Sequence, residues 1–245
     1  MLKKDEAVCI RTVDYSETSQ VLTFFCHNAG KISAIAKGSR RAKSPFGGPI
    51  EVFSHGQIVY VDHAEGKLST LTEFERRGDF TSLRRRLDVL NSAFFGAELV
   101  NSLTTDRDPH PEVYEAFVRF IGDLESVTSH EDSLRLLIVF QLGLLGRLGM
   151  GLVLDRCANC KVGYEKEWLQ VFFSSEAHGL VCMNCEGSFA DRVKLSSQAG
   201  ECLGDLKSLA SAQQKTLAEV EKTIIYHFTA VLHHPPRMAK YVSQL

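Results

Sequence analysis

Four cysteines in two tight pairs, Cys157-Ala-Asn-Cys160 and Cys182-Met-Asn-Cys185, are the residues of this sequence whose spacing most clearly suits chemistry. Each Cys-x-x-Cys pair can bite one ion with both sulfurs, and two facing knuckles complete the tetrahedron that Zn²⁺ prefers. The spacer, Lys161 to Val181, is 21 residues long, one beyond the usual ~15–20. Within it Trp168 to Phe173 reads as a strand and Gly179 to Cys182 as its returning partner. This is a zinc-ribbon pattern, with one structural Zn²⁺ held by Cys157, Cys160, Cys182 and Cys185. Two disulfides, a redox dithiol or four free thiols are the competing readings. Four thiolates would leave the metal no open position for water or substrate, so a catalytic metal is disfavoured. His178 enters only as a competitor for a shell already full.

The second candidate is electrostatic. Between Glu17 and Glu51 there is no acidic residue, while Lys31, Lys37, Arg40, Arg41 and Lys43 all fall there. Four of them lie in Lys37-Gly-Ser-Arg-Arg-Ala-Lys43, a small-residue loop suited to phosphate contacts. Phe24, Phe25, Phe46, Phe53 and Tyr60 lie nearby in sequence as candidates to stack on bases, although strand alternation makes barrel core the default for each. Arg84-Arg-Arg86 splays its charges around a helix, so not all can face one ligand; Arg85 or Arg86 could extend the basic surface, with Arg85 taken as the candidate and a solvated face the alternative. His233-His234 and Arg237 are a weaker case.

Other chemistry finds little support. Gly30-Lys31 is followed by Ile32 and Gly66-Lys67 by Leu68, so no P-loop is present, and neither G-x-G-x-x-G after a strand, H-E-x-x-H nor G-x-S-x-G occurs. The expectation is a protein that is not an enzyme. A net charge of −2 excludes a uniformly basic coat but leaves room for a local patch. Seven cysteines, an odd number, fit a reducing cytoplasm better than a disulfide framework, with Cys9, Cys26 and Cys202 as buried thiols. No apolar run of signal-peptide length follows the N-terminus. The most apolar segment, Leu134 to Leu154, is broken by Arg135, Gln141 and Arg147 and reads as a core helix, not a membrane span.

The elements that must position these residues fall in two styles. Up to about residue 80, Ala7–Val13, Gln20–Phe25, Lys31–Lys37, Ile50–Val61 and Leu68–Phe74 read as strands, separated by turn signals at Asn28-Ala-Gly30, Pro45 to Pro49 and Glu65-Gly-Lys67. Five short strands predict a small barrel of OB-fold or SH3-like type. Beyond Gly78 the spacing turns helical: Thr81–Leu103, Pro111 to about Leu124, His130 to about Gly149, then Leu195–Ala210 and Thr216–Leu232. Gly143, Gly146 and Gly149 suggest a close helix–helix approach. The expected fold class is α+β multidomain: a barrel over 1–80, a helical domain in two parts, 81–154 and 191–245, and a cysteine ribbon over 155–190. The helices pack as one bundle that the ribbon either protrudes from or braces.

In order and spacing, Tyr15-Ser-Glu17, Gly30-Lys31, Ala36-Lys-Gly38 with its continuation to Lys43-Ser44, Leu145-Gly-Arg-Leu-Gly149, Gly179-Leu-Val-Cys182 and the two cysteine pairs resemble the RecO family of bacterial recombination mediators. The resemblance spans the chain. It implies an N-terminal OB-fold, a helical domain with an inserted zinc element, and a non-enzymatic, nucleoid-associated role in the cytoplasm. It further implies binding of single- and double-stranded DNA, annealing of complementary strands, and help in loading RecA onto DNA covered by single-stranded DNA-binding protein. RecR and the C-terminal tail of the single-stranded DNA-binding protein are the implied partners, RecA an indirect one. Some members lack the cysteines, so the metal supports the fold. A zinc-ribbon adaptor that binds only proteins is the alternative.

Overall fold

Strand β1 (Leu2–Asp14) is 13 residues long because it serves two neighbours. Its first half pairs antiparallel with β4 (His55–Val61), and its second half with β2 (Gln20–Cys26). Ala7 and Val8 pair with both neighbours, and just beyond them a bulge between Cys9 and Arg11 in the β2 ladder bends the strand. β2 continues by a tight turn into β3 (Gly30–Ala36), and β4 pairs antiparallel with β5 (Ser69–Gly78). A short parallel pairing of Ala34 with Ser69 and Ile35 with Thr70 closes the circle in the order β1-β2-β3-β5-β4. This is the five-stranded OB-like barrel, and its interior is filled by alternate residues, among them Phe24, Ile32, Ile50, Ile58, Tyr60 and Leu71.

In this computed structural model, which describes residues 1–63, 67–165 and 168–242, the strands follow the expected pattern with one shortening. Residues 50–54 are not strand: Phe53 has φ +72°, and its N–H bonds the Cys9 carbonyl at 2.8 Å, turning the chain before β4 begins. The turn expected at Glu65-Gly-Lys67 lies largely outside the described residues. The turn at Asn28 is held by a buried carboxylate, Asp5, which accepts from the Asn28 N–H, the Asn28 side-chain amide and the Ala29 N–H at 2.7–3.2 Å.

Helical structure starts as a 3₁₀ turn, Thr81–Arg85, before helix α1 (Leu87–Leu103). The continuous helix expected from Thr81 is broken because Arg86 acts as the cap. Its carbonyl takes the first helical N–H, from Leu90, while its guanidinium folds onto Asp88. Helices α2 (Pro111–Leu124) and α3 (His130–Arg147) follow, α3 capped by Ser129 through the Asp132 N–H. The cysteine element is a three-stranded sheet of β6 (Val171–Ser174), β7 (Gly179–Cys182) and β8 (Val193–Leu195), the last not expected from the sequence. Then come α4 (Ser197–Gly204), a 3₁₀ segment Leu206–Ser211, α5 (Gln214–Leu232) and a short α6 (Ala239–Val242). Among the described residues no helix is long and apolar enough to cross a membrane.

The chain divides into two compact units, Met1–Arg85 with Ala97–Glu125, and Arg86–Gly96 with Ser126–Leu245. In the first, the loop after α1 is stitched to the barrel: the Arg107 N–H donates to the Lys31 carbonyl at 2.8 Å. Gly30, at φ +68°, is required there, since a Cβ would stand 2.2 Å from the Asp108 carbonyl oxygen. In the second unit α3 packs on α5, and α4 on α5 and β6. The glycines of α3 do not serve helix packing as expected. A Cβ on Gly143 would meet only the same helix's Arg147, one on Gly146 nothing, and Gly149 lies past the helix at φ +75°. Gly149 terminates α3, with its N–H on the Gly146 carbonyl and the Met150 N–H on that of Leu145, the paired bonds of a Schellman cap.

Between α3 and α5 lies a buried polar pair. The Gln141 side chain donates to Glu221 Oε1 at 2.9 Å, while Glu221 Oε2 has no hydrogen-bond partner among the described residues. Burial pushes the Glu221 carboxyl up to about 8 against the opposing pull of that hydrogen bond. The folded protein therefore holds this proton more tightly than the unfolded chain, and stability falls as pH rises from 4.5 toward 8. Glu221→Gln is expected to gain up to about 4 kcal/mol over the parent near pH 9 and little near pH 5, read by urea denaturation.

Candidate metal centre and nucleic-acid interface

The two knuckles are brought together by the β6–β7 hairpin. The Leu180 N–H donates to the Val153 carbonyl at 2.9 Å, and the Ala158 N–H to that of Leu180 at 2.7 Å, so the first knuckle is laid along β7, whose last residue is Cys182. The four sulfurs of Cys157, Cys160, Cys182 and Cys185 all lie within 4.8 Å of one another. Those of Cys160 and Cys182 are 3.8 Å apart. Sulfurs at about 2.3 Å from a tetrahedral ion stand about 3.8 Å from each other, whereas a disulfide needs about 2.05 Å. The cluster can hold one metal ion. Phe172 and Val181, with Trp168, Ala177 and Phe189, wall it, and only Cys160 is exposed.

The four thiols feel unequal surroundings. Burial raises the Cys157 thiol, but N–H donors of Cys182, Cys160 and Asn159 outweigh it and bring it to about 7. Cys182 is pushed up to about 12, first by burial and then by the neighbouring sulfurs. Thiols alone would not all ionise at neutral pH; a divalent ion at their centre removes the mutual repulsion. His178 stays outside the cluster, its ring 5.7 Å from that of His227 in an edge-on contact.

The ribbon is tied to the helices of its own unit. Asp191 accepts from Ser174 Oγ at 2.6 Å and from the Tyr226 hydroxyl of α5 at 3.2 Å, and Glu219 of α5 accepts from the Ser196 N–H and hydroxyl, both at 2.7 Å. It braces these helices, the second of the two arrangements the sequence allows.

The basic residues divide. Lys37, Arg40, Arg41 and Lys43 are exposed on a loop whose far end is anchored in the barrel by Phe46 and Ile50. The Gln20 side chain locks that end, exchanging two hydrogen bonds with the Ile50 backbone. Arg40 clips the loop to the β1–β2 turn. Its N–H donates to the Thr18 carbonyl, and its guanidinium reaches the Ser16 carbonyl at 3.3 Å and Asp14 at 3.1 Å. Among the described residues, Lys37, Arg41, Lys43 and Arg85 have no carboxylate partner, whereas Arg84 pairs with Glu51 and Arg86 with Asp88.

Lys31 is placed elsewhere. Its ammonium donates to the carbonyls of Asn101 at 2.7 Å and Thr104 at 2.8 Å and lies 3.4 Å from Asp106. It closes the C-terminal end of α1, where unpaired carbonyls and the negative end of the helix dipole favour a cation. The aromatics are all buried: Phe24, Phe46 and Tyr60 lie in the barrel core, Phe25 packs against Tyr114 of α2, and Phe53 is covered in the turn before β4, so none presents a face to solvent. Tyr15, between the Asp14 and Ser16 that Arg40 grips, is 67 % exposed.

Residues 1–79 match the family model described as recombination protein O N terminal, and residues 84–238 the model of its C terminal part. The chain belongs to the RecO family. It is 33 % identical over 202 residues to the DNA repair protein RecO of Rhodopirellula baltica, covering 82 % of this chain and 74 % of that one. With the RecO of Bacillus pumilus it shares 26 % identity over 252 residues, covering 100 % and 95 %. For that of Anaeromyxobacter dehalogenans the identity is 29 % over 211 residues, covering 86 % and 79 %. The OB-like barrel thus falls within the first family region and the cysteine cluster within the second, and the chain is a DNA repair protein of the RecO family.

Two outcomes are expected. Lys31→Ala should destabilise the protein by about 1.5–3 kcal/mol in urea denaturation, because charge-assisted bonds to α1 are lost. Protein purified without chelator should carry about one equivalent of metal by elemental analysis, and Cys157→Ser should lose the metal and melt at lower temperature.

Proposed function

We propose that this chain is a non-enzymatic recombination mediator that binds single- and double-stranded DNA and anneals complementary strands. With RecR, it helps load RecA onto DNA covered by single-stranded DNA-binding protein, whose C-terminal tail it engages. It acts in the cytoplasm, at the nucleoid. The observation that carries this reading is the loop from Lys37 to Lys43, a cluster of exposed cations fastened to an OB-like barrel in a chain of net charge −2. Membership of the RecO family supports it.

The division of labour follows from charge. Lys37, Arg41, Lys43 and the outlying Arg85 contact phosphates, while Arg40 is partly spent on Asp14 and holds the loop. A few cations on a near-neutral protein give contact that is tolerant of sequence and sensitive to salt. Annealing needs the repulsion between two strands screened without either being held permanently, which a small patch does and an extended basic coat would not. The ion in the cysteine cluster is Zn²⁺ in a structural role, as four sulfur ligands in a closed shell favour.

A second reading, a zinc-ribbon adaptor without direct DNA binding, draws on the exposed Val162, Leu169 and Met183 of the cysteine element. Fluorescence anisotropy with a labelled oligonucleotide separates the two. Arg41→Ala with Lys43→Ala is expected to flatten the slope of log affinity against log salt by about 1.4 for a single strand, at unchanged melting temperature. Lys31→Ala is expected to leave the slope as it was. Parent protein without salt-dependent binding would favour the adaptor.

A further inference from the structure

We infer that Tyr15 is the base-stacking residue of this surface and that it gives the chain a preference for unpaired strands, an inference that rests on the DNA-binding reading above. Single-stranded DNA is held by two kinds of contact, cations along the phosphates and aromatic faces against the bases. The barrel supplies the first in the Lys37–Lys43 loop, but its own aromatics Phe24, Phe25, Phe46, Phe53 and Tyr60 are buried. Tyr15 is the most exposed aromatic among the described residues, at 67 %, with no ring contact or hydrogen bond to its hydroxyl among them.

Its position is fixed by the basic loop. Arg40 binds the residue on either side of Tyr15, the carboxylate of Asp14 and the carbonyl of Ser16. The Gly38 N–H adds a bond to Ser19 Oγ at 3.3 Å, and the turn closes on itself as the N–H groups of Tyr15 and Ser16 both donate to the Ser19 carbonyl. A strand lying along the loop therefore passes a held tyrosine.

The charges of the turn say which part of the strand meets it. Asp14 is neutralised by Arg40, Glu17 is exposed, and the turn carries no cation of its own. Phosphates gain nothing there, whereas a base offers a neutral π-face. In a duplex the bases already stack on one another, so Tyr15 adds contact only to an unpaired strand.

The test uses the full chain, with anisotropy measured on a labelled single-stranded oligothymidylate and on a hairpin duplex. Tyr15→Ala is expected to weaken single-strand binding about 5- to 150-fold, the loss of one base–aromatic stack, with duplex affinity unchanged within about twofold and the salt slope unaltered. Tyr15→Phe should behave as the parent, and both variants should melt as it does. Unchanged single-strand affinity in Tyr15→Ala, or an equal loss on both substrates, would overturn the inference while leaving salt-dependent binding intact. If the parent itself shows no salt-dependent binding, the DNA-binding reading fails first and this inference with it.

Discussion

Closure of the barrel is the constraint on which the arrangement of this protein depends. The seam is short, Ala34 with Ser69 and Ile35 with Thr70 in parallel, and everything else in the circle is antiparallel. A closed barrel has no free edge to pair with another chain, and it fixes where each connection leaves the strands. The β1–β2 turn and the loop that leaves β3 emerge close enough for one arginine to span them. Arg40 has a place in the fold because the barrel brings Asp14, Ser16 and Thr18 beside it.

The same economy governs the cations. A lysine is strongly hydrated, and moving one away from water is tolerated only where carbonyls replace the lost hydration. Lys31 has that replacement at the end of α1; Lys37, Arg41 and Lys43 do not, and stay in solvent. Of three lysines in one acid-free stretch, one is thus taken up by the fold and two stay in water. What separates them is the company each keeps in space. The family resemblance belongs to both kinds, since Gly30-Lys31 and Ala36-Lys-Gly38 are equally part of it.

The cysteine cluster is a second centre of order, built where little else could build one. Its three strands are four, four and three residues long, too short to be stable as an isolated sheet. Four sulfurs close enough to share one ion could supply cross-links that such a sheet lacks, and Asp191 and Glu219 join the element to α4 and α5. A metal ion held there would couple formation of the site to the packing of these helices, and its binding free energy would add to folding.

Much of this was legible in the sequence. Strand alternation and turn residues located the five barrel strands, because a strand buried on one face must alternate. The Cys-x-x-Cys pairs located the cluster, because two thiols two residues apart can reach one ion in few other ways. Residue order could not say which lysine would meet a helix end, that Phe53 would turn left-handed before β4, that Gly149 would end a helix in place of packing it, or that Val193–Leu195 would join the ribbon sheet. Lys31 depends on Asn101, Phe53 on Cys9 and β8 on β6, partners far along the chain that leave no local signal, whereas the cap at Gly149 is local and only its competition with a packing role hid it. The residue types and their periods determined which elements form and which chemistry is within reach. Only the tertiary structure decided which charged and aromatic groups remain in water, because exposure belongs to the whole packed chain.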